Sequence, residues 1–207
     1  MRMRCLAIAS VLLAAVPSYG QTPGHVRDFP RAEVFTGVSY LSAGGQEAIK
    51  SQNALGWAAS ASLNLREHFA VVGEGAGQYG HVNMPVTTAT AGAFSVVHPV
   101  AFSGYQLMGG PEVSERVREG RGFFHVLAGF MCARSPSVAD VPSSVPIPFS
   151  FSRSLTRFAF AVGGGADRNI SKRFAIRLFQ VDLVRIQSSP ATSDFRAQGG
   201  IVWRLGM

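Results

Sequence analysis

Among the residues that could do acid–base chemistry, His125 stands out because it lies on the inward parity of a predicted strand and Glu112 lies on the preceding strand. A carboxylate can orient a histidine so that the ring takes the proton of a hydroxyl group, which then attacks as a nucleophile. A histidine in such a place is more often a hydrogen-bonded interior residue. We therefore interpret His125 structurally and predict no catalytic residue.

Two other patterns suggest cofactor or metal binding but lack the context for it. Residues 75–80 spell Gly-Ala-Gly-Gln-Tyr-Gly, a pattern that binds dinucleotides only where it joins a strand to a helix, and His81–Pro85 shows no helical period. The five histidines do not cluster, and Cys132 is the one cysteine beyond the N-terminal segment described below. No metal site and no cofactor is predicted.

The strongest chemical pattern is a set of charged residues that alternate with apolar ones. The last segment shows it best, since Arg196 and Arg204 share one parity while Phe195, Ile201 and Trp203 share the other. A strand with this alternation has one charged face and one apolar face. The residues that we assign to the charged faces are Glu33, Glu74, Glu112, Arg177, Asp182, Arg185, Arg196 and Arg204.

The N-terminus carries an export signal. Arg2 and Arg4 supply a positive start, residues 6–16 supply an apolar core, and small residues precede Gln21. We predict a cleaved signal peptide over residues 1–20, a periplasmic segment over 21–30 and one domain over 31–207. A single remaining cysteine excludes an internal disulfide as the source of stability.

The composition favours membrane strands. Hydrophobic residues make up 47% of the chain and charged residues 15%, whereas charged residues are about 25% of a typical soluble domain. After the signal peptide, no run reaches the ~18 apolar residues of a spanning helix. Removing Arg2 and Arg4 lowers the net charge from +7 to +5, and the surplus is scattered arginine without a basic run, which argues against nucleic-acid binding.

Eight long strands are predicted, at Arg31–Leu41, Leu55–Leu65, Phe69–Gly80, Val100–Arg116, Gly122–Arg134, Thr156–Asp167, Lys172–Ile186 and Asp194–Leu205. Tilted membrane strands need about 9–11 residues, against about 5–6 in ordinary sheets. Short connections alternate with longer ones at 42–53, 81–99, 135–155 and 187–193, as periplasmic turns alternate with external loops. The predicted fold class is an all-β, eight-stranded antiparallel up-and-down transmembrane β-barrel.

Such a barrel turns its charged faces inward. An eight-stranded lumen is only wide enough for its own side chains, so the charges must pair, and closure of the last strand on the first should bring Glu33 beside Arg204. The interpretation that we favour is a salt-bridged plug, with a narrow ion path as the alternative. Arg177 and Arg185 lie on the opposite parity from Gln180 and Asp182, so we predict a β-bulge between Arg177 and Gln180.

Aromatic residues lie near both ends of the predicted strands. Membrane barrels carry aromatic girdles at the two lipid–water interfaces. We assign Trp57, Tyr79 and Phe102 to one girdle and Phe69, Phe174 and Trp203 to the other.

Several segments together resemble a known group. They are Glu33–Tyr40, Leu55–Ser60, Phe160–Asp167 with Phe174–Asp182, and the closing Gly199–Gly206. In order and spacing they are similar to small bacterial outer-membrane β-barrel proteins of the porin-like, OmpA-type group of Gram-negative bacteria, and the version with Gln180 and Asp182 resembles an acidobacterial variant. Unlike that group, the chain ends in Met207 rather than an aromatic residue.

The resemblance implies a non-enzymatic protein of the outer membrane with a structural or surface-interaction role. The expected partners are outer-membrane lipid and lipopolysaccharide, and the barrel-assembly machinery during biogenesis; a monomer is expected. The alternatives are a narrow porin for small solutes and a lipid-modifying enzyme. Barrels that trim lipid A place their catalytic pair near the outer surface, whereas His125 follows a short turn. A soluble lipocalin-like barrel would instead have apolar residues inside.

Overall fold

The computed structural model describes residues 29–43, 52–88, 94–134, 154–187 and 192–206. Its eight strands are β1 (Ala32–Ala43), β2 (Gln52–Asn64), β3 (Phe69–Thr88), β4 (Phe94–Val117), β5 (Gly120–Arg134), β6 (Ser154–Asn169), β7 (Phe174–Ile186) and β8 (Thr192–Leu205). Within these ranges no helix has the length and hydropathy to cross a membrane.

The strands form a closed antiparallel barrel in chain order. Each strand pairs with the next, and β8 returns to pair with β1, with Glu33 opposite Arg204 and Ser42 opposite Phe195. Closure leaves no free sheet edge within the barrel wall. The predicted fold class is therefore confirmed.

Side chains alternate between the two faces of the wall. The outward side chains include many exposed large hydrophobic residues, among them Val38, Leu55, Leu63, Val113, Phe130, Leu183 and Ile201. The buried inward side chains include six of the nine acidic residues of the described ranges, and three arginines. This distribution is the reverse of a soluble barrel and is typical of a wall that faces hydrocarbon.

Three short turns, at residues 65–68, 118–119 and 170–173, lie at one end of the barrel, called here the short-turn end. The first is closed by the backbone amides of Leu65 and Arg66, which donate to the carbonyl of Phe69 at 2.9 and 3.0 Å. The third is closed in the same way by amides that donate to the carbonyl of Phe174. Most of each predicted loop at 42–53, 135–155 and 187–193 lies outside the described residues.

The predicted loop over 81–99 is wrong in extent. Pairing of β3 with β4 continues beyond the barrel wall to Thr88 opposite Phe94, whereas β2 pairs with β3 only as far as Gly80. Valine, threonine and phenylalanine in this segment favour extended backbone, so the ribbon continues where a loop was expected.

The predicted β-bulge is confirmed. The register of β7 with β8 shifts between Arg177 and Gln180, and the register of β6 with β7 shifts between Ala166 and Asp167. The extra residue lets Arg177 and Gln180 both face inward. The same shift places Arg185, which follows the bulge, on the outward parity, and its side chain is exposed. The assignment of Arg185 to the lumen was therefore wrong.

Candidate functional site

The candidate site is the ionic lumen, and its short-turn end is organised around Arg121. The guanidinium of Arg121 donates to the carboxylates of Glu33 and Glu112, and its Nη1 lies 3.5 Å from Oδ2 of Asp167. All four side chains are buried. Three carboxylates around one arginine compensate a charge that would be very costly if it were buried alone.

Glu33 also joins this cluster to the seam of the barrel, where β8 pairs with β1. Its Oε1 accepts from Nε of Arg204 at 3.1 Å, and its Oε2 accepts from Nη2 of Arg116 at 3.3 Å. The position of Arg204 is the one expected from closure of β8 on β1. Glu33 therefore accepts from three arginines carried by β4, β5 and β8.

Arg177 lies above this layer, between two aromatic rings. Its guanidinium carbon is 4.3 Å from the ring centroids of both Phe35 and Phe123. Its Nε donates to Oδ1 of Asp167 at 2.8 Å, and its Nη1 donates to Oε1 of Gln180 at 2.6 Å. A planar guanidinium can stack on rings while its edge makes these bonds.

A second ionic cluster surrounds Arg196. Its Nη2 lies 2.5 Å from Oε1 of Glu74 and 2.7 Å from Oδ2 of Asp182, and its Nη1 donates to Oε1 of Gln106 at 2.9 Å. Gln180 Nε2 completes the cluster with 3.0 Å bonds to Glu74 and Asp182. These bonds cross the lumen from β3 to β7 and β8.

His125 lies between the two clusters. Its Nε2 is 2.7 Å from Oδ1 of Asp182, and its Nδ1 is 4.0 Å from Oε2 of Glu112. The ring is buried, and the hydrogen bonds that it makes within the described residues include no hydroxyl group. His125 therefore bridges carboxylates on β4 and β7.

Apolar layers fill the rest of the lumen. One consists of Val72, Met108, Leu127, Ala161 and Val184, and another of Leu41, Ala54, Met131 and Ala159. Residues of both layers come from strands on different sides of the barrel. Packed apolar side chains exclude water and ions from the space between them.

The structure brings together seven of the eight residues assigned to the charge network and leaves out Arg185. The seven are Glu33, Glu74, Glu112, Arg177, Asp182, Arg196 and Arg204. Sequence reasoning missed Arg121 and Asp167, although both are buried at the centre of the lower cluster. Arg121 shares the parity of His125, four residues later, and that parity was the available signal.

Five of the six aromatic residues assigned to girdles have described side chains, and these five lie on the outer wall. Phe69, Phe174 and Trp203 are near the short-turn end, where Phe174 pairs with Trp203 across β7 and β8. Trp57 and Tyr79 lie towards the other end, where the hydroxyl of Tyr79 is 3.4 Å from that of Tyr105. Phe102 is part of β4, but its side chain lies outside the described residues.

Most polar side chains of the ionic lumen are satisfied by one another. Within the described residues, no group of three or more histidine, cysteine, aspartate or glutamate residues could hold a metal ion. The buried side-chain atoms there that find no hydrogen-bond partner are Gln78 Oε1, Arg116 Nε, Arg121 Nε and Gln198 Oε1. The arrangement is suited to closing the barrel.

No protein-family model matches the chain, and no curated protein sequence matches it. Solved structures are similar in fold. Ail, the attachment invasion locus protein of Yersinia pestis, superimposes with a TM-score of 0.56 at 15% identity over 86% of this chain and 99% of Ail. Neisserial surface protein A gives a TM-score of 0.60 at 8% identity over 84% of this chain and 97% of that one.

The outer membrane protein OprG of Pseudomonas aeruginosa gives a TM-score of 0.58 at 6% identity, over 86% of this chain and 97% of OprG. Identities this low establish the fold and leave the activity open, because one fold carries many functions. The chain has the fold of an eight-stranded outer-membrane β-barrel.

Proposed function

We propose that this protein is a non-enzymatic, monomeric outer-membrane barrel whose lumen is closed, and that it acts as a structural or surface-interaction protein. Its place is within the porin-like, OmpA-type group, in the acidobacterial variant carrying Gln180 and Asp182. The N-terminal signal sequence and the apolar outer wall support a location in the outer membrane.

The observation that carries the closed lumen is the cluster around Arg196. It joins Glu74 and Asp182 across the barrel, with every side chain buried. Moving these charges apart to admit a solute would leave each uncompensated, which costs about 3–5 kcal/mol for a broken buried pair. Above and below it, the apolar layers and the Arg121 cluster close the same axis.

The burial of His125 supports a non-enzymatic role. Its ring is 2% exposed and its Nε2 is held by Asp182, so a lipid on the outer wall does not reach it. Replacement of His125 by alanine should therefore leave the lipid A composition of the producing cells unchanged. A changed lipid A profile would favour the lipid-modifying enzyme instead.

Planar-bilayer recording tests the closed lumen. The mature protein, folded and checked by its shifted mobility in unheated gels, should insert without steady conductance steps. A variant that replaces Arg196 and Glu74 by alanine, with the same mobility check, shows what the loss of this one layer does while the apolar layers and the Arg121 cluster remain. Steady steps from the unmodified protein would overturn the proposal and favour the narrow porin.

A further inference from the structure

A cavity of about 400 Å³ opens at the short-turn end of the barrel. It lies between the β4–β5 turn, the β6–β7 turn and the chain that enters β1. Its charged lining residues are Arg116, Arg118, Lys172 and Arg204, and no carboxylate is among its lining residues. The volume falls within the range of small-molecule sites, about 300–1,000 Å³.

The ionic cluster around Arg121 compensates only part of this lining. Arg116 and Arg204 both bond to Glu33, but Glu33 is shared with Arg121. Arg116, Arg121 and Arg204 are matched in number by Glu33, Glu112 and Asp167, and Asp167 is also shared with Arg177, so this cluster has no surplus carboxylate to offer to the rim. Arg118 and Lys172 add two further positive charges at the rim.

Several donors of the lining remain available. Nε of Arg116 is buried and finds no hydrogen-bond partner within the described residues. Over the same residues, Arg118 and Lys172 form no ion pair, and both side chains are exposed. An exposed cation next to a partly buried guanidinium favours an anion that can accept from both.

The walls of the cavity are braced. Asn169 donates to the carbonyl of Arg118 at 3.0 Å and accepts from Nη2 of Arg204 at 2.7 Å. Asn64 donates to the carbonyl of Pro30 at 2.7 Å. These bonds brace the β4–β5 turn, the end of β6 and the entering chain, so little backbone ordering remains when a ligand binds.

We propose that this cavity binds a phosphate group. The group could belong to a soluble phosphorylated compound or to a lipid headgroup in the adjacent leaflet, since both offer the same oxygens to arginine and lysine. The inference goes beyond the closed barrel, and it holds whether or not the lumen conducts.

Calorimetric titration with inorganic phosphate tests the site. The mature protein is folded in octyl glucoside, which carries no phosphate, and titrated in a phosphate-free buffer. Saturable binding at one site is expected. Replacing Arg118 and Lys172 by alanine should weaken it by about tenfold or more, the equivalent of one lost charge-assisted contact.

The matched control replaces Arg66 and Arg168 by alanine. Both are exposed basic residues of the same end, and neither lines the cavity. This variant loses the same charge but should bind phosphate within about threefold of the unmodified protein, because diffuse surface charge is screened by salt. Equal weakening in both variants, or no saturable binding by the unmodified protein, would overturn the proposal.

Repeating the titration in phosphatidylglycerol nanodiscs distinguishes a soluble phosphorylated compound from a lipid headgroup as the natural ligand. Weaker apparent binding there than in octyl glucoside, at a salt concentration high enough to screen the surface charge of the lipid, means that lipid headgroups already occupy the cavity. Equal binding means that the natural ligand is soluble. Both outcomes uphold the site, and the gel-mobility check on each variant excludes misfolding as the cause of a loss.

Discussion

His125 and Asp182 meet side by side although their strands are not neighbours. β6 separates them, and at their level it carries Gly163, which pairs with His125 on one side and with Asp182 on the other. A side chain on Gly163 would occupy the space through which Nε2 of His125 reaches Oδ1 of Asp182. The missing side chain thus permits a 2.7 Å contact across a whole strand.

Gly163→Ala is expected to destabilise the barrel. Its new Cβ would lie 2.1 Å from Oδ1 of Asp182 and 2.2 Å from the carbonyl oxygen of Val181, so the backbone must shift. Overpacking of this kind costs about 1–3 kcal/mol. Gly73→Ala is the control, because its Cβ would meet no atom within 4 Å and should change stability by less than about 0.5 kcal/mol. Urea unfolding in lipid vesicles compares the two, and equal effects would contradict the packing argument.

His125→Ala should lower the free energy of unfolding by about 1–3 kcal/mol, because it leaves one oxygen of a buried carboxylate without its donor. Asp182 would still be held by Arg196 and Gln180, so the barrel should fold. Asp182→Asn in the same assay keeps the shape of the side chain and removes its charge. An alanine variant as stable as the unmodified protein would show that the bridge contributes nothing.

Arg196→Met and Arg185→Met should differ sharply in their effect on the free energy of unfolding. Arg196 is completely buried and compensates Glu74 and Asp182, so its removal should cost about 3–5 kcal/mol. Arg185 is exposed on the outer wall, where the same change should stay within about 0.5 kcal/mol. Unfolding midpoints of the two variants provide the measurement. Similar losses would mean that inside and outside are wrongly assigned.

Lipid contact of the wall can be read from the two tryptophans. Trp57 lies towards the end opposite the short turns and Trp203 towards the short-turn end, and Trp57 is exposed on the outer face. In the Trp57→Phe and Trp203→Phe variants, the remaining indole should be quenched most strongly by lipids brominated near the headgroups, where aromatic girdles lie. If the brominated lipids quench the remaining indole no more than a quencher dissolved in the water does, the result would argue against membrane insertion.

The strands could be predicted because the alternation of apolar and charged residues has a period of two and persists over ten or more residues. Even the bulge could be predicted, since Arg177 and Asp182 could not otherwise both avoid the apolar wall. Beyond the bulge the same parity argument failed at Arg185, because the shift that rescues Arg177 turns Arg185 outward.

The pairing within the lumen could be predicted only at the seam. Glu33 and Arg204 follow from closure, since they are opposite in the register of β1 and β8. Partners across the lumen, such as Arg196 with Glu74, depend on strand tilt and side-chain length, which parity does not give. Arg121 was missed because the predicted fifth strand began at Gly122, two residues after the observed start at Gly120.

The partners of Glu33 have a consequence for the way in which the chain acquires its structure. Glu33 lies on the first strand, and it bonds to Arg121 and, 171 residues along the chain, to Arg204. No partial sheet made of the early strands alone can satisfy it. Because contacts so distant in sequence form late, and unpaired charges oppose insertion into hydrocarbon, we expect folding to be concerted, with no stable half-barrel before the last strand arrives.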